Sequence, residues 1–189
     1  MVNDKQKILD LMTGLDERKN DQIFYTFQQM CKNFSAVFSR LVPSGNAYLE
    51  LTGAEGEDEM SRLMSATGVS IQVSFTNNGV MCELTQLSGG QKSLVALTFI
   101  LAIQQIDPAP FYLFDEVDAA LDVEHRRAVA SMIHRESQRA QFITTTFRPE
   151  LLEKADAHFG VMFRGKASHV EVVSREQAKN FVQDARIQD

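Results

Sequence analysis

No stretch of this sequence reads G-x-x-x-x-G-K-[ST], the loop that wraps the phosphates of a bound nucleotide. Cysteine is scarce as well. Cys31 and Cys82 are the only two, they fit no metal-ligand spacing, and Cys82 sits in an alternating, strand-like run. Reduced thiols in an intracellular protein are therefore expected. No apolar run reaches about 18 residues without polar interruption, and the opening MVNDKQK has no apolar signal core. A soluble, unexported chain with no membrane partner is expected. Positive charge is also short: the net charge is −6, the pI is near 5.3, and Lys and Arg are scattered. Charge therefore gives no argument for nucleic-acid binding. His125, His134, His158 and His169 show no metal or triad spacing and read as structural or solvated. There are no internal repeats.

What remains is enough for one ordinary domain with a real core: 189 residues, 44% hydrophobic and 23% charged. Residues 3–41 contain no proline and a single glycine, Gly14. Ile23, Phe27, Met30, Phe34, Val37 and Leu41 fall at alternating steps of four and three, and Ile8, Met12 and Leu15 carry a similar pattern upstream. This is a heptad-like stripe on a long helix. At 1.5 Å per residue the helix spans about 55 Å, too long to stay within a compact domain of this size. It reads either as a long surface helix or as the end of a coiled coil entering a globular head. The expected division is a coiled-coil neck over 1–41 and a head lobe over 42–189.

Pro43-Ser44-Gly45 stops the helix. Ala47, Leu49 and Leu51 then alternate with polar neighbours, and Val69, Ile71, Val73 and Phe75 do the same. Asn77-Asn78-Gly79 is a hairpin turn from which Val80, Cys82 and Leu84 return. An antiparallel sheet is expected over 46–85, interrupted at 53–68 by a flexible acidic loop. After Gly89-Gly90 come an apolar helix (91–106), a strand buried on both faces (111–114), an amphipathic helix (122–139) and a second strand (141–146). That order implies parallel pairing in an α/β layer. Pro149 opens a short helix over 150–156. A hairpin (158–164 and 168–173) and a closing helix from 174 follow.

Two stretches carry chemistry. QLSGGQKS (86–93) presents a glycine turn opening an apolar helix, whose free N–H groups suit a phosphate. FYLFDEVDAALD (111–122) ends an apolar strand in Asp115-Glu116, at the carboxyl edge where open α/β sheets bind ligands. There Asp115 can hold Mg²⁺ through its shell, and Glu116 can orient and deprotonate an attacking water. The alternative is an acidic cap on the following helix.

A five-residue LSGGQ match has a chance frequency of roughly a few in ten thousand at ordinary residue usage. With the strand ending in Asp-Glu and the loop Ala119-Ala120-Leu121-Asp122, it resembles the ATP-binding-cassette fold, as its signature motif, Walker B strand and D-loop. The absent Walker A narrows this to the structural-maintenance-of-chromosomes (SMC) family, whose cassette halves lie at opposite ends of a very long chain. KNFSAVFSRLVPSGNAYLEL, TGVSIQVSF, LSGGQKSLVALTFILAIQQIDPAPFYLFDEVDAALD and AQFITTTFRPELLEKAD look like the cohesin branch of that family, over roughly 21–185.

The resemblance implies the carboxyl-terminal half of an α/β ATPase head, with an antiparallel β lobe, a parallel layer and a protruding coiled-coil helix. It implies that Leu87, Ser88, Gly89, Gly90 and Gln91 face the γ-phosphate of an ATP held by the partner head, and that Asp122 crosses between heads. Lys92 either touches that phosphate or is simply solvated. Asp115 is implied as the Mg²⁺ site and Glu116 as the catalytic base, for ATP on this subunit's own Walker A. The implied partners are the chain's own amino-terminal Walker A half, a second SMC head in a heterodimer, a kleisin subunit at the neck helix, and DNA through the assembled complex, on chromosomes in the nucleus. Where many cassettes carry a switch histidine, TTTFRPE has Phe147, which cannot hydrogen-bond a phosphate. Phe147 reads as a core aromatic at a strand end, and the switch role is absent or moves to Thr146 or Arg148. A transporter cassette and a purely structural, hydrolysis-incompetent head are the rival readings; a head from another SMC-like DNA-repair ATPase is a third.

Overall fold

The computed structural model describes residues 2–77 and 79–187. Within it the chain divides into two compact units: residues 1–39, 43–87 and 98–107 in one, and 40–42, 88–97 and 108–189 in the other.

The first unit is built on the helix α1 (Val2–Leu41). The apolar stripe changes character along it. Met30, Phe34, Val37 and Phe38 are buried, whereas Ile8, Met12, Leu15 and Ile23 are exposed. Phe34 meets Phe99 edge-on with ring centroids 6.1 Å apart, and Phe38 meets Phe75 the same way at 5.5 Å. Beside them lies a three-stranded antiparallel sheet, β1 (Asn46–Thr52), β2 (Gly68–Ser74) and β3 (Cys82–Glu83), in that order. Its register pairs Ala47 with Val73, Leu49 with Ile71 and Leu51 with Val69. The period-2 residues thus share one face, as their alternation requires.

Two sequence expectations change here. The stretch 53–68 is not all loop, because it holds the short helix α2 (Glu59–Ser65). Asp58 caps it, accepting from the Ser61 N–H at 2.9 Å and the Ser61 hydroxyl at 2.6 Å, and the Ser65 hydroxyl ties back to the Glu55 carbonyl at 2.6 Å. The return strand is also short. The Glu83 N–H donates to the Gln86 side chain at 2.8 Å, and Leu84–Gln86 closes as a 3₁₀ turn instead of continuing the ladder. Asn78, in the expected hairpin turn, lies outside the described residues; the Gly79 N–H closes on the Thr76 carbonyl at 3.1 Å.

The helix α3 (Gly89–Gln104) begins in the second unit and ends in the first. In the second unit, β4 (Phe111–Asp115) pairs in parallel with β5 (Gln141–Thr145), joined by α4 (Val123–Glu136). α5 (Pro149–Leu152) opens with Pro149 in the first turn, where its missing N–H costs nothing. The hairpin β6 (Phe159–Arg164) and β7 (Ala167–Val172) turns at Gly165-Lys166, both at positive φ, and α6 (Arg175–Ile187) follows. Core side chains include Leu94, Phe114, Leu121, Val129, Ile133 and Leu151.

β4 was expected to be buried on both faces, and it is covered on one. Tyr112 stacks on Phe142 at 5.1 Å beside Phe114, but Phe111, Leu113 and Ile143 on the other face are exposed. Phe159, Val161, Phe163, Val170 and Val172 of the hairpin are exposed too. Both sheets are two-stranded, and no further strand of the described residues extends either one. Among the described residues no helix is long and apolar enough to cross a membrane.

Replacing Phe34 by Ala removes a fully buried ring, and about 3–5 kcal/mol of stability should go with it. Chemical denaturation reads this directly; a change below about 1 kcal/mol would mean that the α1 stripe is not the core of its unit.

Candidate functional site

Chemistry gathers at three places in the second unit: the start of α3, the tip of β4, and the loop from β4 to α4. At the start of α3, Ser88 and Gln91 form a reciprocal cap. The Gln91 N–H donates to the Ser88 hydroxyl oxygen at 3.3 Å, and the Ser88 N–H donates to the Gln91 side chain at 3.0 Å. The Lys92 N–H makes the first helical bond, to the Ser88 carbonyl at 2.9 Å. Among the described residues no acceptor is recorded for the N–H groups of Gly89 and Gly90. They are the two donors that the cap leaves open at a positive helix end. The Leu87 side chain is buried, and Lys92 is exposed.

The two glycines differ. A Cβ on Gly89 would meet nothing within 4 Å, whereas one on Gly90 would stand 2.4 Å from the Ala120 carbonyl oxygen. Gly90 is therefore glycine because the loop after β4 passes against it. Gly89 faces open space.

At the tip of β4, Thr145 organises both carboxylates. Its hydroxyl donates to Asp115 Oδ1 at 2.5 Å and accepts from the Glu116 N–H at 3.1 Å, while its carbonyl accepts from the same N–H at 3.2 Å. Glu116 turns off the strand at φ +47°, a left-handed conformation costing on the order of 1 kcal/mol or more. Both carboxylates are exposed. Among the described residues no partner is recorded for the second oxygen of Asp115 or for the Glu116 carboxylate.

The loop beyond is fixed at both ends. Asp118, 1% exposed, accepts from the Thr146 hydroxyl at 2.6 Å, and Thr146 accepts in turn from the Arg148 N–H at 2.9 Å. Asp122 caps α4, accepting from the His125 N–H at 2.9 Å and pairing with the His125 ring at 2.6 Å. The His125 N–H, more than any other group, holds the Asp122 carboxyl below the usual carboxylate range; burial opposes this and the imidazole adds to it. The cap therefore stabilises above the unfolded value of about 3.9 and is lost as pH falls through the lower folded one.

Thr145, Asp118 and Thr146 are the organising residues that the motifs alone did not single out for these roles. The run Thr144-Thr145-Thr146 at the carboxyl edge of a strand was the available signal. Thr146 is engaged by Asp118, so its hydroxyl is not free to replace a switch histidine. Phe147, expected in the core, is 53% exposed because β5 ends at Thr145 and the chain turns outward. Among the described residues no group of three or more His, Cys, Asp and Glu could hold a metal. Asp115 with one open oxygen does suit Mg²⁺, which takes one or two carboxylates and fills its shell with water and phosphate oxygens.

A long helix leading into mixed antiparallel and parallel sheets is the architecture of SMC ATPase heads with a coiled-coil helix. A solved SMC head with an extended coiled coil, from Pyrococcus furiosus and bound to the C-terminal domain of ScpA, matches 96% of this chain and 44% of its own, with 34% identity and a TM-score of 0.77. A chain from a structural study of ATP-driven dimerization and DNA-stimulated activation of SMC ATPases matches 88% of this chain and 97% of its own, at 34% identity and a TM-score of 0.74. The family model described as "RecF/RecN/SMC N terminal domain" matches residues 13–169, and the chain belongs to that family. Structural maintenance of chromosomes protein 3 of Caenorhabditis elegans is 50% identical over 186 residues; the match takes in 95% of this chain and 15% of that protein's length. The chain thus spans about one-seventh of that relative. The description of the matched domain as N-terminal runs against the expected carboxyl-terminal half. The chain is part of an SMC ATPase head, and the match does not bear out its placement in the carboxyl-terminal half.

Substituting each glycine separates their roles. Gly90→Ala should destabilise by about 1–3 kcal/mol through overpacking on Ala120. Gly89→Ala should be neutral, or stabilising by up to about 1 kcal/mol, as Ala replaces Gly in an open helical turn. Denaturation midpoints of the two variants check this, and equal losses would refute the close approach.

Proposed function

We propose that the chain is the signature-bearing part of the head of a cohesin SMC ATPase, the third SMC subunit, and that it works in ATP-dependent head engagement, hydrolysis and DNA entrapment. Sister-chromatid cohesion and chromosome organisation in the nucleus would be the setting. One observation carries the reading: two open N–H groups at Gly89-Gly90 and two open carboxylates at Asp115-Glu116 lie on one chain that has no phosphate loop of its own. The 50% identity to the C. elegans protein supports the choice of subunit.

In this reading Gly89 and Gly90, with the Ser88 hydroxyl, donate to the γ-phosphate of an ATP bound on the partner head, as preorganised dipoles that need no rearrangement. Leu87 anchors the turn and Gln91 caps it. Asp115 holds Mg²⁺ through its open oxygen, and the ion would supply charge neutralisation at the phosphates. Glu116 accepts a proton from water attacking ATP on this subunit's own phosphate loop, supplied by another segment of the head. Asp122 faces across to the partner. The exposed faces of β4–β5 and β6–β7 are suited to that missing segment, since bare apolar sheet faces need cover.

Residues 1–41 act as the neck. Ile8, Met12, Leu15 and Ile23 are exposed at heptad-like spacing, as a strand awaiting a coiled-coil partner would have them. A kleisin subunit is the proposed partner of this neck; the ScpA-bound relative supports such a partner for the head without locating it. A second reading, a structural head that engages without hydrolysing, is favoured by one feature: Phe147 offers a phosphate no hydrogen bond.

ATP turnover by the reconstituted pair of complete heads tests both readings. Glu116→Gln should lower turnover about 100-fold or more while ATP still binds. Ser88→Arg, folded by circular dichroism, should abolish engagement. Unchanged turnover in Glu116→Gln would hand the site to the structural reading.

A further inference from the structure

Arg126, on the first turn of α4, is 8% exposed, an unusual place for a guanidinium. One of its terminal nitrogens donates to the Leu121 carbonyl at 2.5 Å and the other to Glu150 Oε1 at 3.1 Å, while Nε has no partner among the described residues. Both side chains of the ion pair are only 10% exposed. Burying a charge pair is a weak route to stability, and an incompletely satisfied one weaker still. Stability alone therefore accounts poorly for it. Position accounts for it better.

The Leu121 carbonyl belongs to the residue before Asp122 and the one after Ala120, whose own carbonyl lies against Gly90. Glu150 lies on α5, directly after the stretch in which Thr146 binds Asp118. The loop 118–121 is thus tied at its first residue by Asp118–Thr146 and at its last by Leu121–Arg126–Glu150. Both ties run to the single stretch 146–150 that continues from Thr145, which holds Asp115 and Glu116.

We propose that Arg126, anchored on Glu150, is a positioning residue for ATP hydrolysis: by holding the Leu121 carbonyl it fixes where Asp122 and the Ala120 wall behind Gly90 stand. This rests on the functional reading above. A loose loop would leave ATP binding intact and misplace the groups that complete the site between heads, so the damage falls on turnover and not on affinity.

Arg126→Met, Arg126→Lys and Glu150→Gln in the complete two-headed complex provide the test, with steady-state ATP turnover and amide hydrogen exchange as readouts. For Arg126→Met the expected result is kcat lower by about tenfold or more, with KM for ATP within about twofold. Exchange should be faster at 118–122, while β4, β5 and the second half of α4 keep their protection. Arg126→Lys, which keeps the charge but has one donating nitrogen in place of the fork, should recover part of kcat, and Glu150→Gln should lose less than Arg126→Met. Unaltered exchange at the loop overturns the proposal, as does a loosened loop with unaltered kcat. Protection lost throughout the second unit also overturns it, because the role would then be structural. Glu116→Gln, measured alongside, judges the functional reading separately. Should that variant turn over normally, the functional reading fails and the Arg126 proposal falls with it, whereas a loosened loop with unaltered kcat beside an impaired Glu116→Gln overturns the Arg126 proposal alone.

Discussion

Five residue pairs, from Phe111↔Gln141 to Asp115↔Thr145, join β4 to β5, and the last of them sets Thr145 beside the tip of β4. Nearly everything at the site follows from that register. A slip of one residue would send the Thr145 side chain to the other face of the sheet. Asp115 would lose its hydroxyl donor, and the Glu116 N–H would lose the pair of acceptors that hold it at positive φ. The next residue along β5's exit, Thr146, could not then reach Asp118, and the loop that passes against Gly90 would lose the tie at its first residue. Parallel pairing of this kind needs a crossover, and α4 provides it while carrying the cap residue Asp122 and the buried Arg126.

Much of this was legible in the sequence because local rules and tertiary fold agree there. Alternation in Ala47–Leu51 and Val69–Val73 gave the paired sheet, Pro43-Ser44-Gly45 ended α1 where expected, and the Gly-rich turn opened α3. The departures have local causes. Asp58-x-x-Ser61 is a cap signal that composition hid, since an acidic, polar stretch reads as loop until the hydrogen bonds are counted. Gln86 competing for the Glu83 N–H shortened β3, an effect outside hydrophobic periodicity. The strand FYLF was read as doubly buried from its bulk alone, and bulk does not distinguish a strand covered on two faces from one covered on a single face, as here. Asp118 and Arg126 were unreadable as partners of Thr146 and Glu150, because sequence separations of 28 and 24 residues carry no pairing signal without the register.

Some of the exposed apolar residues are grouped. In the first unit a run of them, including Ile8, Met12 and Leu15, lies along the amino-terminal part of α1, while others such as Tyr48, Val69 and Val80 are spread over the rest of the unit. In the second they lie on one face of each two-stranded sheet. Scattered exposed apolar side chains are ordinary, but contiguous sets such as Phe159, Val161 and Phe163 with Val170 and Val172 are not. A two-stranded sheet is also marginal by itself. A chain spanning 15% of its C. elegans relative can be a faithful portion of a head while leaving such faces to be covered by the rest.

Under the proposed function, the two open N–H groups and the two open carboxylates serve different nucleotides, yet the loop 116–122 joins them mechanically. It starts at Glu116, which would act on ATP of this subunit, and passes behind Gly90, which would read ATP of the partner. Any rearrangement that brings Glu116 to a water must pass through Asp118 or Leu121 to reach Ala120, and so bears on the glycine turn. Linkage makes such coupling reciprocal for binding: if engaging the partner's phosphate favours one arrangement of the loop, that arrangement must favour the partner's phosphate equally. A rigid loop would transmit this and a slack one would not. Under that function, the ties that make the site precise would also be what lets two heads sense each other's nucleotide.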